Sequence, residues 1–348
     1  MTATSHLVPS PLYPWNRKYL GAKTALLPWL LERFQSLTDG CIGSFCDPMA
    51  GTGVVAYAVS SLPSTTRIAA GDILVSNTIP LRVFLLDGVE FESAAAAIED
   101  LRMQPPLEGY VWRHFGGRYF SHENAAHMDA IRERIQQEED PRLADAMLTS
   151  LLYAADKAAN TVGQFDAYMK NLHAPAKDSS RHLVDSNALK PLDLRVPVAV
   201  SCKEPIVETA DACDLLSRHA VDTVYLDPPY NTRQYSDLYH VLENIARWEK
   251  PAVHGVTRKF HRDHLRSRFS SRATAAVELA RVCSIARCKH LFLSYSSEGI
   301  IPHEHILRIL SGFGPVTISE SEYPVFGRGA GRARKRTVIE RLYYVRKH

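Results

Sequence analysis

The 348-residue sequence lacks the patterns that mark several large protein classes. Its six cysteines form no C-x-x-C pair, and the spacing of Cys283 and Cys288 is poor for metal ligation. No apolar run is long enough to cross a membrane, no secretory signal precedes Tyr13, and no internal repeat is present. We therefore expect a cytoplasmic protein with reduced thiols, no bound metal and no membrane segment.

Two common nucleotide-binding signatures are also missing. The glycine-rich stretch Asp47–Gly53 is not followed by the Lys-Ser/Thr of a Walker loop, and it lacks the full G-x-G-x-x-G spacing. The net charge is only +3, so total charge neither requires nor excludes a polyanionic partner. With 45% hydrophobic and 23% charged residues, the composition is that of a globular protein with one large or two smaller cores.

The segment Asp227-Pro228-Pro229-Tyr230 is the most informative feature that is present. It follows the apolar, β-branched run 221–226 and precedes a helical pattern over Asp237–Trp248, so it lies where a strand ends, the place where open α/β sheets bind ligands. The two prolines stiffen the backbone. Asp227 and the Pro228 carbonyl can accept both hydrogens of a flat amino group, while Tyr230 offers a stacking face. The alternative interpretation is a proline-rich turn without chemistry.

A second unit of strand, glycine-rich turn and helix comprises the strand 41–46, the turn Asp47-Pro48-Met49-Ala50-Gly51-Thr52-Gly53 and a helix over Val54–Val59. Its small residues allow a ligand to approach the backbone. The next predicted strand, Arg67–Asp72, ends in an acid where such folds hold ribose hydroxyls. Asp72 is therefore a candidate nucleoside ligand, with a helix cap or turn residue as the alternative.

Earlier in the chain, Tyr19-Leu-Gly-Ala-Lys23 leads into a predicted helix over Thr24–Phe34. A glycine-containing turn before a helix exposes backbone donors, and Lys23 adds a cation, although lysines at helix starts are common. Taken in order, Tyr19–Lys23, Asp47–Gly53 and Asp227–Tyr230 resemble the motifs of the Dam-type adenine-specific DNA methyltransferase family. Met49 stands where that family often has Phe.

The resemblance implies a Rossmann-like S-adenosylmethionine-dependent methyltransferase fold: an α/β architecture with a mostly parallel seven-stranded sheet, a reversed terminal hairpin and a helical insertion. It implies methyl transfer from S-adenosylmethionine to the exocyclic amino group (N6) of adenine in duplex DNA, with the adenine flipped out. Asp227, Pro228, Pro229 and Tyr230 would be catalytic. The implied cofactor-binding residues are Tyr19, Lys23, Asp47, Pro48, Ala50, Gly51, Gly53, Asp72 and Asp211. Asp214 is an alternative to Asp211, and either could simply cap the helix predicted over Leu215–His219.

We predict an N-terminal arm over residues 1–12, a methyltransferase core formed by 13–95 and 205–348, and a helical insertion over 96–204. Helices are predicted at Glu92–Met103, Glu123–Glu138 and Arg142–Ala159, the second with a serine cap at Ser121. By the resemblance, the insertion would recognise the target, with Asn160–Phe165 near the substrate and Tyr168, Lys170 and His173 facing the backbone of the nucleic acid. The alternative is a lid that only packs. Residues 178–197 are expected to be a return linker.

The stretch Arg258–Arg272 contains six Arg or Lys residues against one acid, with aromatic residues between them. We predict that it contacts DNA phosphates, the candidate residues being Arg258, Lys259, Arg262, Arg266 and Arg268. A merely solvated face is the alternative, and the same choice applies to the basic, glycine-rich segment 327–336.

The expected partners are double-stranded DNA and, acting separately, a cognate restriction endonuclease, and the expected state is a monomer or weak dimer. Methylation of the amino group of cytosine or of adenine in RNA is one alternative. A non-catalytic DNA-binding relative is the other. The sequence does not reveal the recognised DNA word.

Overall fold

The computed structural model describes residues 10–86, 89–169, 172, 187–200, 202–326 and 335–348. These residues form nine strands: β1 (Pro11–Leu12), β2 (Gly43–Asp47), β3 (Thr65–Asp72), β4 (Val196–Pro197), β5 (Ile206–Thr209), β6 (Thr223–Leu226), β7 (His290–Ser296), β8 (Val316–Phe326) and β9 (Lys335–Arg346). None of the helices that they form is long and apolar enough to cross a membrane.

The α-helices within the described part of the chain are α1 (Leu27–Leu37), α2 (Val54–Ser60), α3 (Val75–Leu85), α4 (Phe91–Arg102), α5 (Tyr110–Phe115), α6 (His122–Ile135), α7 (Pro141–Lys157), α8 (Ala212–Arg218), α9 (Tyr235–Leu238), α10 (His240–Arg247), α11 (Ala275–Ile285) and α12 (His303–Leu310). Four short 3₁₀ helices lie at Pro14–Asn16, Thr24–Leu26, Asp263–Leu265 and Arg268–Ser270.

The chain divides into two compact units. The sheet unit comprises residues 23–73, 202–235 and 264–348, and the helical unit comprises 1–22, 74–201 and 236–263. The sheet unit contains a seven-stranded sheet with the strand order β5-β3-β2-β6-β7-β9-β8. Only β9 runs against its neighbours, since β7 and β8 both pair with it antiparallel while the other pairs are parallel. The predicted fold class, with its reversed terminal hairpin, is confirmed.

Both faces of this sheet are covered. This is expected, because the residues of the central strands are apolar on both faces rather than alternately apolar and polar. On one face, Phe34 of α1 contacts the rings of Phe45, Tyr225 and Phe292 at centroid distances of 4.8–6.0 Å. On the other face, the adjacent strand residues pack in a second core together with α8, α11 and α12; they include Cys46, Val224, Leu291 and Leu293. Successive residues of a strand point to opposite faces, so each strand supplies both cores.

The helical unit is built around α3, α4, α6, α7 and α10, which pack against one another. The predicted Ser121 cap is confirmed, because its side chain accepts a hydrogen bond from Asn124 N. The predicted helix over Asp237–Trp248 is two helices, α9 and α10, with Tyr239 between them. Helix α3 was not predicted; nearly all of its residues are buried, so it shows no amphipathic pattern.

Two predicted boundaries differ from the structure. Residues 10–12 do not form a loose arm: β1 pairs with β4, and Leu12 is only 2% exposed. The helical unit begins again at Leu74 rather than at residue 96, because α3 packs against α7 and α10. Residues 1–9, Lys170, His173, the linker part 178–186 and the basic part 327–334 lie outside the described residues.

Candidate active site

The candidate site of the sheet unit lies where parallel strands end. Three acids follow one another across neighbouring strands: Asp47 ends β2, Asp72 ends β3, and Asp227 directly follows β6. Because β3, β2 and β6 are adjacent and parallel, these carboxyl ends share one edge of the sheet. The sequence motifs therefore come together in one unit.

Asp227 is held by an ion pair. The ammonium Nζ of Lys23 lies 2.7 Å from Asp227 Oδ1 and donates a hydrogen bond to it. The side chain of Lys23 is 5% exposed, and that of Asp227 is 21% exposed. Among the described residues no hydrogen-bond donor is found for Oδ2, so this oxygen remains available as an acceptor. In the structure Lys23 orients a catalytic candidate, and its predicted contact with the cofactor stays a prediction.

The two members of this pair have opposite electrostatic surroundings. Burial raises the pKa of Asp227 to about 6; the charge of Lys23 opposes the rise and that of Glu340 adds to it. Burial lowers the pKa of Lys23, but the charges of Asp227 and Glu340 outweigh this, so its pKa lies above the ordinary value. At neutral pH the pair therefore consists of a carboxylate and an ammonium.

Glu340 of β9 is a member of this cluster that the motifs did not reveal. Its side chain is 2% exposed, its Oε1 lies 3.6 Å from Lys23 Nζ, and it accepts a 2.6 Å hydrogen bond from Ser294 Oγ. A sequence signal existed: Glu340 is the one charged residue in the otherwise apolar alternate row Val338, Leu342 and Tyr344.

Tyr230 completes the tetrapeptide. Its ring is partly buried against the core of the sheet unit, and its carbonyl accepts a 2.9 Å hydrogen bond from Ile300 N. In the described part of the chain no backbone N–H donates to the Pro228 carbonyl. That carbonyl is therefore free to serve as a second acceptor beside Asp227, as the sequence predicts.

The glycine-rich turn is tied to the neighbouring strand. Ala50 N donates to Gly71 O at 2.9 Å, and Gly51 N donates to Asp72 Oδ2 at 3.0 Å. Gly51 and Gly53 have φ values of 56° and 81°, a left-handed conformation that favours glycine. Asp72 therefore orders the turn; this contact was not predicted.

The acids around the turn suit a cationic ligand. Asp47 is 2% exposed, and its Oδ1 has no hydrogen-bond partner. Burial and the charge of Asp227 raise its pKa well above the ordinary value. A buried acceptor without a donor is costly, so an ammonium group close to Asp47 would stabilise it by donating a hydrogen bond. A sulfonium nearby would act through its positive charge alone. These residues fit a ligand that carries both groups, as S-adenosylmethionine does.

The remaining cofactor candidates are placed as follows. Asp211 is exposed and caps α8, accepting a 2.9 Å hydrogen bond from Cys213 N, while Asp214 lies exposed in the first turn. The cap interpretation of Asp211 is thus confirmed, and its contact with a cofactor stays a prediction. Tyr19 belongs to the helical unit, where it stacks on Tyr239 at 4.6 Å and accepts from Asn77 Nδ2.

Several predicted phosphate ligands are already engaged within the chain. In the helical unit, Arg262 is 10% exposed and pairs with Asp237, which Lys259 also approaches at 3.4 Å. In the sheet unit, Arg268 lies 3.2 Å from Glu278. Arg258 has no acidic partner among the described residues, and its φ of 54° is unusual for arginine. The segment is therefore not a uniform solvated charge run.

The comparisons with known proteins agree with this geometry. The family model of the D12 class of N6 adenine-specific DNA methyltransferases matches residues 19–309. This chain belongs to that family. It is 29% identical over 322 residues to the type II methyltransferase M.NlaIII of Neisseria lactamica, covering 88% of this chain and 92% of the relative.

Two further relatives are longer proteins. The modification methylase StsI of Streptococcus sanguinis is 28% identical over 351 residues, and the modification methylase LlaI of Lactococcus lactis is 26% identical over 351 residues. The matches cover 95% and 92% of this chain but only 52% and 54% of those relatives. The chain thus spans about half the length of each.

Proposed function

We propose that this protein binds S-adenosylmethionine and methylates N6 of adenine in duplex DNA as the modification enzyme of a restriction–modification system. The observation that carries the proposal is the Asp227 carboxylate, fixed through Oδ1 by Lys23 with Oδ2 left available. The names of the relatives StsI and LlaI, both modification methylases, support the modification role.

The reacting nitrogen of adenine is a poor nucleophile, because its lone pair is conjugated with the ring. Asp227 Oδ2 and the Pro228 carbonyl would each accept one hydrogen of the amino group, which localises the lone pair on nitrogen. Such fixed acceptors lower the barrier by positioning and electrostatics, without a covalent enzyme intermediate. Tyr230 would hold the flipped base by stacking, typically worth about 1–3 kcal/mol.

The cofactor, when bound, supplies an activated methyl group on a sulfonium. Within the chain, Asp47 would face a positive group, and the turn Ala50–Gly53 would allow close approach of the ligand to the backbone. Asp72 would bind ribose hydroxyls in addition to ordering the turn, and Asp211 would accept from the adenine amino group while it caps α8. Pro48 and Tyr19 remain proposed cofactor contacts by family resemblance.

We assign DNA phosphate contacts first to Arg258, which has no acidic partner among the described residues, and Arg266 is a further candidate. Lys259, Arg262 and Arg268 remain candidates, but each would have to share its charge with the acid that it already meets. Base reading is proposed for the predicted insertion 96–204, nearly all of which lies in the helical unit. Phosphate contacts weaken with salt and carry no sequence information, whereas base contacts carry it.

The proposal is tested by nucleoside analysis of DNA and RNA incubated with the purified protein and labelled S-adenosylmethionine. We expect label in N6-methyladenine from duplex DNA, and mapping of the modified positions on intact duplexes should place them within a single sequence word. Label in N4-methylcytosine, or in RNA alone, would replace the substrate assignment. DNA binding with no transfer to any base would identify a non-catalytic relative.

A further inference from the structure

Glu340 is a buried carboxylate without a part in the mechanism above. It lies in β9 opposite Ser296 of β7 and Ser321 of β8, and its side chain is 2% exposed. Leaving a carboxylate in a protein interior is unfavourable unless charges and hydrogen bonds compensate for the lost water. Because its row neighbours Val338 and Leu342 are apolar, packing alone would be served by an apolar side chain here.

Ser294 and the ammonium of Lys23 compensate for the burial of Glu340. Ser294 donates to Glu340 Oε1 at 2.6 Å, and Lys23 Nζ lies 3.6 Å from the same oxygen. The same ammonium lies 2.7 Å from Asp227 Oδ1. One cation therefore stands between two carboxylates, closer to Asp227 than to Glu340.

We propose that Glu340 is a positioning residue for methyl transfer, which shares the charge of Lys23 and so keeps Asp227 a strong hydrogen-bond acceptor. This inference rests on the proposed role of Asp227. Without the Glu340 charge, the ammonium would act more strongly on Asp227. The carboxylate would then be more strongly neutralised and would accept less well from the amino group of adenine.

The distances set the size of the effect. Because the two carboxylate oxygens lie 2.7 Å and 3.6 Å from one nitrogen, they are no more than 6.3 Å apart. At that separation in a partly buried site, a unit charge shifts a neighbouring pKa by the order of one unit or more. The direction agrees with the raised pKa of Asp227, to which burial contributes first and the charge of Glu340 adds.

The first test is the pH profile of single-turnover methylation with Glu340→Gln, which keeps shape and hydrogen bonding but removes the charge. We expect the acid limb to move to lower pH by about one unit and the rate at pH 7.5 to fall by about three- to tenfold, because a weaker base is a weaker acceptor. The KM for DNA should change little. Glu340→Asp, which retains the charge, should keep the acid limb of the wild type.

Glu322→Gln is the matched control, since it makes the same change at an exposed residue of the adjacent strand β8. It should leave the profile unchanged. A fall in rate with Glu340→Gln at an unmoved acid limb would overturn the proposal and give Glu340 a purely structural role. Failure of Glu340→Gln to fold would do the same.

The second test needs neither cofactor nor DNA. The ¹³C carboxyl resonances of the free protein are titrated, with the Asp227 signal assigned through Asp227→Asn. Glu340→Gln should lower the pKa of Asp227, and an unchanged pKa would overturn the inference. Wild-type protein that transfers no methyl group would refute the proposed function instead, and the titration would still decide the coupling.

Discussion

The sheet unit offers two lysine–aspartate pairs of almost equal length in different surroundings. Lys23 Nζ lies 2.7 Å from Asp227, and Lys289 Nζ lies 2.8 Å from Asp222. The lysine side chains are 5% and 76% exposed, respectively. Replacing each lysine with Met therefore removes the same kind of ion pair from a buried site and from a solvent-exposed site. We expect Lys23→Met to be strongly destabilising and Lys289→Met to leave the unfolding midpoint near that of the wild type.

The size of the destabilisation by Lys23→Met follows from the buried carboxylates that lose their cation. Removing one partner of a buried pair costs about 3–5 kcal/mol, because the remaining charge is uncompensated. Here two carboxylates, Asp227 and Glu340, lose their shared cation. With a urea dependence of about 3 kcal/mol per molar, the midpoint should fall by about 1 M or more.

The loss of stability in Lys23→Met should depend on pH. Lys23 lowers the pKa of Asp227, so without it the pKa rises above the wild-type value of about 6. In the window from this raised pKa down to about pH 6, the folded variant then binds more of this proton than the unfolded chain or the wild type does. Its stability deficit should shrink as the pH falls through that window, by at most about 1.4 kcal/mol per pH unit.

Because the chain has two compact units, the assay should report on the sheet unit itself. The urea midpoint is therefore measured from amide hydrogen exchange of a peptide that contains β2. Equal midpoints for Lys23→Met and Lys289→Met would show that the buried Lys23–Asp227 pair contributes no more to stability than the exposed Lys289–Asp222 pair, contrary to this expectation.

Three further predictions concern activity and binding. The single-turnover rate should fall about tenfold per pH unit below about pH 6, since Asp227 must be ionised to accept a hydrogen bond; a flat profile down to pH 5 would contradict the raised pKa. Asp72→Ala should weaken binding of S-adenosylmethionine in equilibrium titration, because it releases the Gly51 amide and removes a ribose acceptor; unchanged affinity would exclude both roles. Arg258→Gln with Arg266→Gln should weaken binding to matched and unmatched duplexes alike and reduce the salt slope by roughly one per lost phosphate contact, whereas Arg308→Gln, exposed on α12, should change neither.

The elements of the fold were predictable where the hydrophobic pattern of the sequence matches the burial of the residues in the structure. The strands ending at Asp47, Asp72 and Leu226 are short, apolar and followed by turn residues, so their bounds were predicted to within a few residues. Helix α3 was missed because it is buried on all sides, and its polar residues Ser76 and Asn77 are buried with the rest.

Only the part of the site that lies in short sequence motifs was predictable. A motif identifies neighbours along the chain, so Asp227 and Tyr230 were found together. Glu340 lies more than a hundred residues away and reaches Lys23 only because β9 inserts antiparallel between β7 and β8. Likewise, the sequence shows that Arg262 is basic but not that Asp237 already binds it.

Asp227→Ala tests whether Asp227 acts on the substrate amino group rather than on the cofactor or the fold. In this variant, methyl transfer to adenine and equilibrium binding of S-adenosylmethionine are measured on the same preparation. We expect transfer to be lost while cofactor affinity stays within a few-fold of the wild type. Near-normal turnover, or loss of cofactor binding together with transfer, would contradict it.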